Sequence, residues 1–357
     1  MKSILKFTSL LLASAVMFIS CDKTGDDTSL DSKFKISSDK NVIQSNGLDV
    51  ATFTAILEGA DVTAETVFYL KETMTPLEGN KFTADKAGVY NVIGMYGTFF
   101  TEPYSVTAID MPIPAPAEDS TPSNTSFVHR AFLNQYTGTE CGYCPIMVYI
   151  LRDVFADESV KDKAVLAAVH SYQAGDPAYI SNPKVQGYPY LQIDMKYGFT
   201  HDLPSSTLKN QINETTAAPA KVGISANPTL KDDMLVVTVE VKAAEEAEYN
   251  VGVWLMQDNV YGIQADYSGF NDKTLDNHNN CVRVADSKYM SRYAGHPLGK
   301  INAGQTAQRT FLFNIDKKAW KLTDINDLHF AAFVTSDFKV VNVVDCKISE
   351  PTPYEYK

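Results

Sequence analysis

Two cysteines stand two residues apart in the stretch Tyr136-Thr137-Gly138-Thr139-Glu140-Cys141-Gly142-Tyr143-Cys144-Pro145. A run rich in β-forming residues at 127–133 precedes this stretch and an apolar run at 145–152 follows it, which predicts a strand, a turn and a helix. Cys141 is therefore expected at or near a helix N-terminus, where unpaired N–H groups and the helix dipole favour a thiolate over a thiol. This placement predicts Cys141 as the nucleophile of a thiol–disulfide exchange and Cys144 as the resolving thiol.

The same two cysteines have two other interpretations, a structural cross-link and one half of a zinc site. No second half of a zinc site is visible in the sequence, because Cys281 and Cys346 lie far away in a differently patterned region and His278 belongs to an Asn-rich loop without a paired ligand. We therefore expect no metal, and no cofactor other than a redox-active disulfide between Cys141 and Cys144.

The segment after the predicted helix continues in a recognisable order. An apolar run at 163–170 is suited to a buried parallel strand, and it is followed by a polar insertion, the tripeptide Gly187-Tyr188-Pro189, a hairpin and a helix over 205–216. This order resembles that of a thioredoxin-like domain, in which a cis-proline lies against the two sulfurs. The resemblance implies that Pro189 is that cis-proline and that the backbone of Tyr188 pairs with an extended client segment. A trans Pro189 that opens an edge strand is the alternative.

The N-terminal residues predict export and lipidation. Lys2 and Lys6 precede an apolar stretch at 7–19, and Ser20 stands directly before Cys21. The apolar stretch is too short for a membrane span. It resembles a bacterial lipoprotein signal in which Cys21 becomes the acylated first residue, with an ordinary secretory signal as the alternative. We expect a protein anchored to the bacterial outer membrane through lipid on Cys21, either surface-exposed or facing the periplasm.

The charge of the chain excludes one class of partner. The 357 residues carry a formal net charge of -12, and the predicted signal holds two of the lysines but no acid. Such an acidic chain repels phosphate backbones, so we expect no nucleic-acid binding. The expected partners are the membrane, through the lipid, and protein or peptide clients that carry thiols or disulfides.

Alternating apolar and polar residues flank the central segment on both sides and predict β-sandwiches there. A Pro-rich stretch marks the boundary before the central segment, and a polar loop at 262–292 is long enough to suggest a function. The predicted fold class is multidomain α+β. Its parts are a signal peptide (1–20), an acidic tether (21–32), an immunoglobulin-like β-sandwich (33–110), a Pro-rich linker (111–125), a thioredoxin-like α/β domain (126–219) and a C-terminal β-sandwich (220–357).

The cysteine count leaves one pairing open. Of five cysteines, lipid on Cys21 leaves four, which is enough for two pairs in an oxidising compartment. Cys281 and Cys346 form the second pair by elimination, or they are two small buried thiols.

From about Ser126 to the C-terminus the chain resembles the Omp28-related outer-membrane lipoproteins of the Bacteroidota. The stretch at 136–145 carries the resemblance, together with His170, Gly187-Tyr188-Pro189 and the residues at 278–283. The resemblance implies a lipid-anchored envelope protein with a thioredoxin-like domain followed by a β-domain, in a family without a settled biochemical role. The Cys-Gly-Tyr-Cys segment also resembles that of periplasmic disulfide isomerases.

One residue departs from the thioredoxin pattern. A Trp commonly precedes the first cysteine in thioredoxins, and Glu140 stands there in this chain. Its carboxylate opposes a thiolate on Cys141, whereas the helix terminus supports that thiolate by about 0.3–1 kcal/mol. We therefore expect a modest shift of the thiol pKa and a reductase-like or isomerase-like couple.

Two functions follow from the sequence. The first is an envelope thiol–disulfide oxidoreductase in which Cys141 attacks, Cys144 resolves, and Tyr143, Tyr188 and Pro189 dock the client. The second is a non-catalytic binding or adhesion lipoprotein in which the two cysteines form an inert bond and the β-sandwiches make the contacts.

Overall fold

The structure is a computed structural model that describes residues 33–181, 185, 187–286 and 295–357. The predicted signal, the lipidation site Cys21 and the tether lie outside the described residues. No helix in the described ranges is both long enough and apolar enough to cross a membrane.

The N-terminal part is built from ten short strands in two sheets. β3 lies between β1 and β4 in one sheet and also pairs with β7; the other sheet runs β2-β10-β8-β5-β6, with β9 beside β8. Alternate residues face a shared core that contains Phe34, Phe53 and Phe68, as expected when two sheets cover each other. The strands are β1 (Phe34–Ser38), β2 (Val42–Gln44), β3 (Ala51–Leu57), β4 (Ala60–Asp61), β5 (Val67–Leu70), β6 (Thr75–Pro76), β7 (Lys81–Phe82), β8 (Gly88–Tyr96), β9 (Phe99–Phe100) and β10 (Tyr104–Ile109).

The central part contributes four strands and the two α-helices of the described residues. β11 and β12 run parallel and are joined by α1, whereas β13 and β14 continue the sheet on the other side of β11 as an antiparallel hairpin. The helices cover one face through a core that includes Leu133, Met147 and Leu208. The elements are β11 (Ala131–Thr137), α1 (Cys144–Phe155), β12 (Ala164–His170), β13 (Tyr190–Ile193), β14 (Tyr197–Thr200) and α2 (Ser205–Thr215).

The C-terminal part adds ten strands. Five of them extend the central sheet to nine strands in the order β14-β13-β11-β12-β20-β17-β23-β24, with β21 also paired to β17. β15, β16 and β22 form a separate three-stranded sheet that packs on the extended one. The strands are β15 (Val222–Lys231), β16 (Met234–Ala243), β17 (Ala247–Gln257), β18 (Val260–Tyr261), β19 (Asn277–His278), β20 (Cys281–Asp286), β21 (His296–Ile301), β22 (Thr306–Asn314), β23 (Leu328–Ser336) and β24 (Lys339–Lys347).

The predicted fold class, multidomain α+β with a separate thioredoxin-like α/β core, is wrong. The described chain is mostly β, and the central strands do not form a sheet of their own. β12 pairs in parallel with β20 at Ala168 and Cys281, and Ala168 N donates to the carbonyl of Asn280 at 2.8 Å. An apolar strand with a free edge would leave its backbone groups unpaired. β20 pairs with that edge at this point, so the central and C-terminal parts share one sheet.

The Pro-rich stretch before the central part contains no helix or strand but is held against the C-terminal strands. Asn227 Nδ2 donates to the carbonyl of Ala115 at 2.8 Å, and Lys242 Nζ lies 2.9 Å from Asp119 Oδ2. Asn41, from the N-terminal part, exchanges hydrogen bonds with the backbone of Thr310 on β22. These polar contacts fix the N-terminal sheets beside β22.

Candidate functional site

The two cysteines of the C-x-x-C motif form a disulfide in the turn that leads into α1. Their Cα atoms are 5.3 Å apart, and α1 begins at Cys144, so Cys141 lies three residues ahead of the helix. Pro145 occupies the first helical turn, where its missing N–H costs no hydrogen bond. The predicted placement of the motif at a helix start is therefore confirmed.

Neither cysteine is accessible. Cys141 is 4% exposed and Cys144 is fully buried, whereas the neighbouring Tyr143 is 54% exposed. Glu140, the predicted modulator of the Cys141 pKa, is also exposed. An incoming macromolecule would meet the side chains of Glu140 and Tyr143 before it met either sulfur.

The cover over this turn comes from a distant part of the chain, residues 262–274, which we name the strap. Backbone N–H groups of the strap donate to the turn, from Ala265 to the carbonyl of Thr139 at 2.7 Å and from Tyr267 to the carbonyl of Gly142 at 2.8 Å. The Gln264 side-chain amide lies 3.1 Å from the carbonyl oxygens of both Thr139 and Cys141. These bonds bind the strap to the backbone of the turn that carries the disulfide.

The far end of the strap is anchored on α1. Tyr149 Oη and Arg152 Nη1 each donate to Asp272 Oδ2 at 2.8 Å. Hydrogen bonds from the side chain and backbone of Thr274, together with those from Tyr149 and Arg152, hold the pKa of Asp272 well below its ordinary value. The ring of Phe270 packs on Tyr149 with 4.1 Å between centroids. The strap is thus attached to both the turn and the helix that follows it.

Several large side chains on or beside the strap face solvent. Tyr143 contacts Tyr267 edge to face, with ring centroids 5.8 Å apart, and stacks on His201 on its other side. We call the following set the strap surface: Tyr143 (54% exposed), Tyr261 (69%), Ile263 (71%), Tyr267 (72%) and Phe270 (43%).

The peptide bond between Tyr188 and Pro189 is cis, which confirms that prediction. Tyr190 pairs with Tyr136, so Pro189 lies one residue beyond the last pair of β13 and β11, at the end of the sheet from which the C-x-x-C turn leaves. Tyr188 is half-buried; its hydroxyl lies 2.9 Å from Ser171 Oγ and its ring contacts Tyr172. Docking of a client by Tyr143, Tyr188 and Pro189 stays a prediction.

A second group of titratable side chains lies near the start of the strap and was not predicted. Asp176 Oδ1 and Oδ2 lie 3.0 and 2.9 Å from His170 Nδ1, and His170 Nε2 lies 3.6 Å from Cys281 Sγ. Thr139 N donates to Asp176 Oδ2 at 2.6 Å, and His278 Nε2 lies 3.0 Å from the carbonyl oxygen of Gly262. The sequence indicated His170 only as part of a buried strand and of the family resemblance, and Asp176 only as part of a polar insertion.

Cys281 and Cys346 are not bonded to each other; both are free and buried. They lie on β20 and β24, and β17 and β23 stand between them in the sheet. Three inter-strand spacings of about 4.8 Å separate them by about 14 Å, twice the Cα distance of about 7 Å that a disulfide can span. The sequence allowed either a second disulfide or two small buried thiols, and the structure shows two buried thiols.

Metal-binding side chains do not converge in the described ranges, where no group of three or more His, Cys, Asp or Glu residues could hold an ion.

Comparison with known proteins identifies one family. Residues 176–352 match the model of the family described as outer membrane protein Omp28, so the resemblance seen in the sequence and the predicted outer-membrane localisation are confirmed. The match begins after the C-x-x-C turn, which lies outside it. No curated protein matches the chain.

Two solved structures from Porphyromonas gingivalis are similar to this chain. HBP35 has a TM-score of 0.52 at 16% identity, over 64% of this chain and 78% of the other. A domain of the outer membrane lipoprotein Omp28 has a TM-score of 0.25 at 20% identity, over 38% of this chain and 90% of the other. At these identities, the similarity to HBP35 concerns the fold alone.

Proposed function

Because this chain belongs to the Omp28 family of outer membrane proteins, we propose that it binds a protein partner of the cell envelope, with the Cys141–Cys144 disulfide as a structural cross-link. One observation carries this proposal: Cys141 is 4% exposed beneath the strap. Thiol–disulfide exchange requires a thiolate to reach one sulfur of the disulfide. A covered sulfur offers no such approach, so the bond constrains the turn that supports the strap.

The strap surface supports a role in binding. Aromatic side chains, Tyr above all, are enriched at the centres of protein interfaces because they combine a large apolar area with a polar end. Tyr267 is 72% exposed although its backbone N–H is bonded to Gly142. A surface that is already ordered loses less conformational entropy when a partner binds. The partner that fits this chemistry is a polypeptide segment with apolar side chains and free backbone hydrogen-bonding groups.

Lipid on Cys21 would keep this binding surface at the membrane. Two or more acyl chains anchor a protein stably, whereas one chain holds it only marginally. The acidic tether would set the distance between the anchor and the folded part. In this account the membrane is the anchoring partner and an envelope protein is the ligand.

Binding to outer-membrane vesicles from a strain that lacks the protein tests this proposal. The chain is used with Cys21→Ser, so that lipid insertion makes no contribution. We expect saturable binding that is lost when the vesicles are treated with protease. Tyr267→Ser should weaken this binding by about tenfold, as expected for an interface aromatic residue worth more than 1 kcal/mol. Tyr197→Ser, at a 40% exposed tyrosine on β14, is the matched control and should bind as the parent does. Binding that is absent, or that Tyr267→Ser leaves unchanged, contradicts the proposal.

A second function, thiol–disulfide exchange with envelope clients, is favoured by two specific observations. Pro189 lies at the same end of the sheet as the disulfide, and Cys141 lies just ahead of α1. In this mechanism the strap would leave, the carbonyls of Thr139 and Gly142 would pair with the client, Cys141 would attack and Cys144 would resolve. Cys141-dependent turnover of a protein disulfide separates this function from the first.

A further inference from the structure

Cys281, His170 and Asp176 lie in a row. Asp176 accepts backbone hydrogen bonds from Thr139 and Ala178 at 2.6 and 2.8 Å, which fixes its carboxylate against His170 Nδ1. With Nδ1–H donated to that carboxylate, Nε2 is left facing the Cys281 sulfur at 3.6 Å. A nucleophile beside a base that is itself oriented by a third group is the arrangement of an activated thiol. His170, Asp176 and Cys281 are 1%, 6% and 0% exposed.

We propose that Cys281 is a reactive thiol of this protein, served by His170 and Asp176, and that it reacts with small uncharged oxidants of the peroxide class. The inference stands apart from the binding function, because it uses neither the strap surface nor the disulfide. Complete burial of Cys281 excludes a polypeptide substrate and favours a reagent of nearly the size of water.

Two further groups surround this row. The ring of His278 meets that of His170 edge to face at 5.0 Å, and Arg283 donates to the carbonyl of Pro177, next to Asp176. Burial opposes the charge of His170, but the Cys281 sulfur and the Asp176 carboxylate outweigh it and raise the pKa of His170 to about 10. The imidazole therefore holds a proton at neutral pH and can give it to a leaving group.

In the proposed reaction the peroxide oxidises the Cys281 sulfur. The Cys281 sulfur attacks one oxygen of the peroxide and forms an S–O bond while the O–O bond breaks. The departing hydroxide takes the proton from His170 Nε2 and leaves as water, and the S–H proton of Cys281 replaces it on Nε2. The sulfur is oxidised to a sulfenic acid, and one peroxide molecule is reduced.

The product has no resolving thiol among the described cysteines. Cys141 and Cys144 are joined to each other, and Cys346 lies beyond two intervening strands. A sulfenic acid on Cys281 therefore persists long enough to be trapped by a 1,3-diketone.

Cys346 is a matched internal control. It is 1% exposed, about as buried as Cys281, and burial raises its pKa to about 12. No histidine of the described residues is hydrogen-bonded to it. Access to the two sulfurs is equally poor, so a difference in reactivity reports the chemistry around each of them.

The test treats the full chain in detergent with hydrogen peroxide for increasing times, removes the peroxide with catalase, and then unfolds the chain in dimedone, a 1,3-diketone that reaches both cysteines once the chain is unfolded. The adducts on the two cysteine peptides are followed by mass spectrometry. We expect Cys281 to be trapped at least about 100-fold faster than Cys346, the lower end of the range for acid–base assistance by a positioned side chain. Equal rates, or no adduct on Cys281, overturn the proposal. This comparison needs no variant.

Variants then test the two supporting residues. His170→Gln and Asp176→Asn should slow trapping of Cys281 at least about 100-fold and leave Cys346 unchanged. His296→Gln, at a histidine on β21 that is paired with Asp286, should change neither rate. A variant that unfolds also exposes Cys346. Faster trapping of Cys346 therefore identifies an unfolded variant. Trapping of Cys281 at the parent rate in a folded His170→Gln variant overturns the role of His170.

Discussion

Tyr267 occupies the space above Gly142. Its N–H donates to the Gly142 carbonyl at 2.8 Å, and a Cβ placed on Gly142 would lie 2.3 Å from the Tyr267 ring. The strap can therefore rest on the C-x-x-C turn only because residue 142 has no side chain. Replacement of the Gly142 hydrogen by a methyl group therefore tests the contact between Tyr267 and the turn.

Gly142→Ala should loosen the strap. Overpacking costs about 1–3 kcal/mol, and the Tyr267 ring can relieve much of this by swinging into solvent. We expect the Cys141–Cys144 disulfide to be reduced by dithiothreitol about 5- to 30-fold faster, the factor that corresponds to one or two kcal/mol. Gly175→Ala, where only Glu140 Oε1 lies within 4 Å of the added Cβ, is the control and should behave as the parent. Reduction of Gly142→Ala at the parent rate would show that the strap does not limit access.

Gln264→Ala should also speed reduction. The Gln264 amide is within hydrogen-bonding distance of the Thr139 and Cys141 carbonyls, and each such bond contributes about 0.5–1.5 kcal/mol net. We expect about a fivefold increase in the reduction rate, measured by labelling of the released thiols. Gln211→Ala, at a glutamine on α2 whose side chain is hydrogen-bonded to Thr215, should leave the rate unchanged. An increase of equal size in both variants would argue that the strap does not limit reduction of the disulfide.

The buried His170–Asp176 pair predicts a pH dependence of stability. The folded pKa of His170 is raised to about 10 from about 6.5 in the unfolded chain. Its contribution is therefore complete below about pH 6.5 and is lost as the pH rises towards 10. Thermal unfolding of the parent should show a decreasing midpoint across this range, and His170→Gln should flatten the decrease.

His329 contributes in the same direction, because its folded pKa is raised to about 9 by Asp258 and Asp345 against the effect of burial. His329→Gln is therefore needed beside His170→Gln, to separate the two contributions. A decrease that is unchanged in His170→Gln would contradict a charged His170 in the folded protein.

Lys242 should be a large stability determinant at the Pro-rich stretch. Its side chain is 2% exposed and paired with Asp119, which also accepts from Tyr356 Oη at 2.7 Å. Removal of one partner of a buried pair leaves an uncompensated charge and costs about 3–5 kcal/mol. Lys242→Met should lower the free energy of unfolding by about this amount in denaturant titration. Lys221→Met, which breaks the exposed pair with Glu245, should cost about 0–1 kcal/mol. Similar losses of unfolding free energy in both variants would contradict the larger contribution of the buried Lys242 pair.

The features that could be predicted are those that depend on residues close together in the sequence. The start of α1 follows from the break at Gly138 and the Pro145-led apolar run, which are a few positions apart and act through direct backbone preferences. The cis bond before Pro189 was implied by the resemblance to a thioredoxin-like domain, and the place of Pro189 directly ahead of a strand singled it out.

Contacts between distant segments could not be predicted. Gln264 and Cys141 are 123 residues apart, and Cys281 and His170 are 111 residues apart. The pattern at 163–170 predicts a buried strand but does not say which strand lies on its second edge. The loop at 262–292 was marked by its length alone, and neither its position over the disulfide nor the row of Asp176, His170 and Cys281 leaves a local signal.

Catalysis of insulin reduction by dithiothreitol, measured with the full chain in detergent, tests the central claim most directly. The claim is that the strap closes the Cys141–Cys144 disulfide and that this bond is a structural cross-link. We predict that the parent reduces insulin no faster than a Cys141→Ser variant, and that both match the rate without protein. Reduction by the parent that is faster than the uncatalysed rate, and that is lost in Cys141→Ser, would contradict the claim and favour the oxidoreductase.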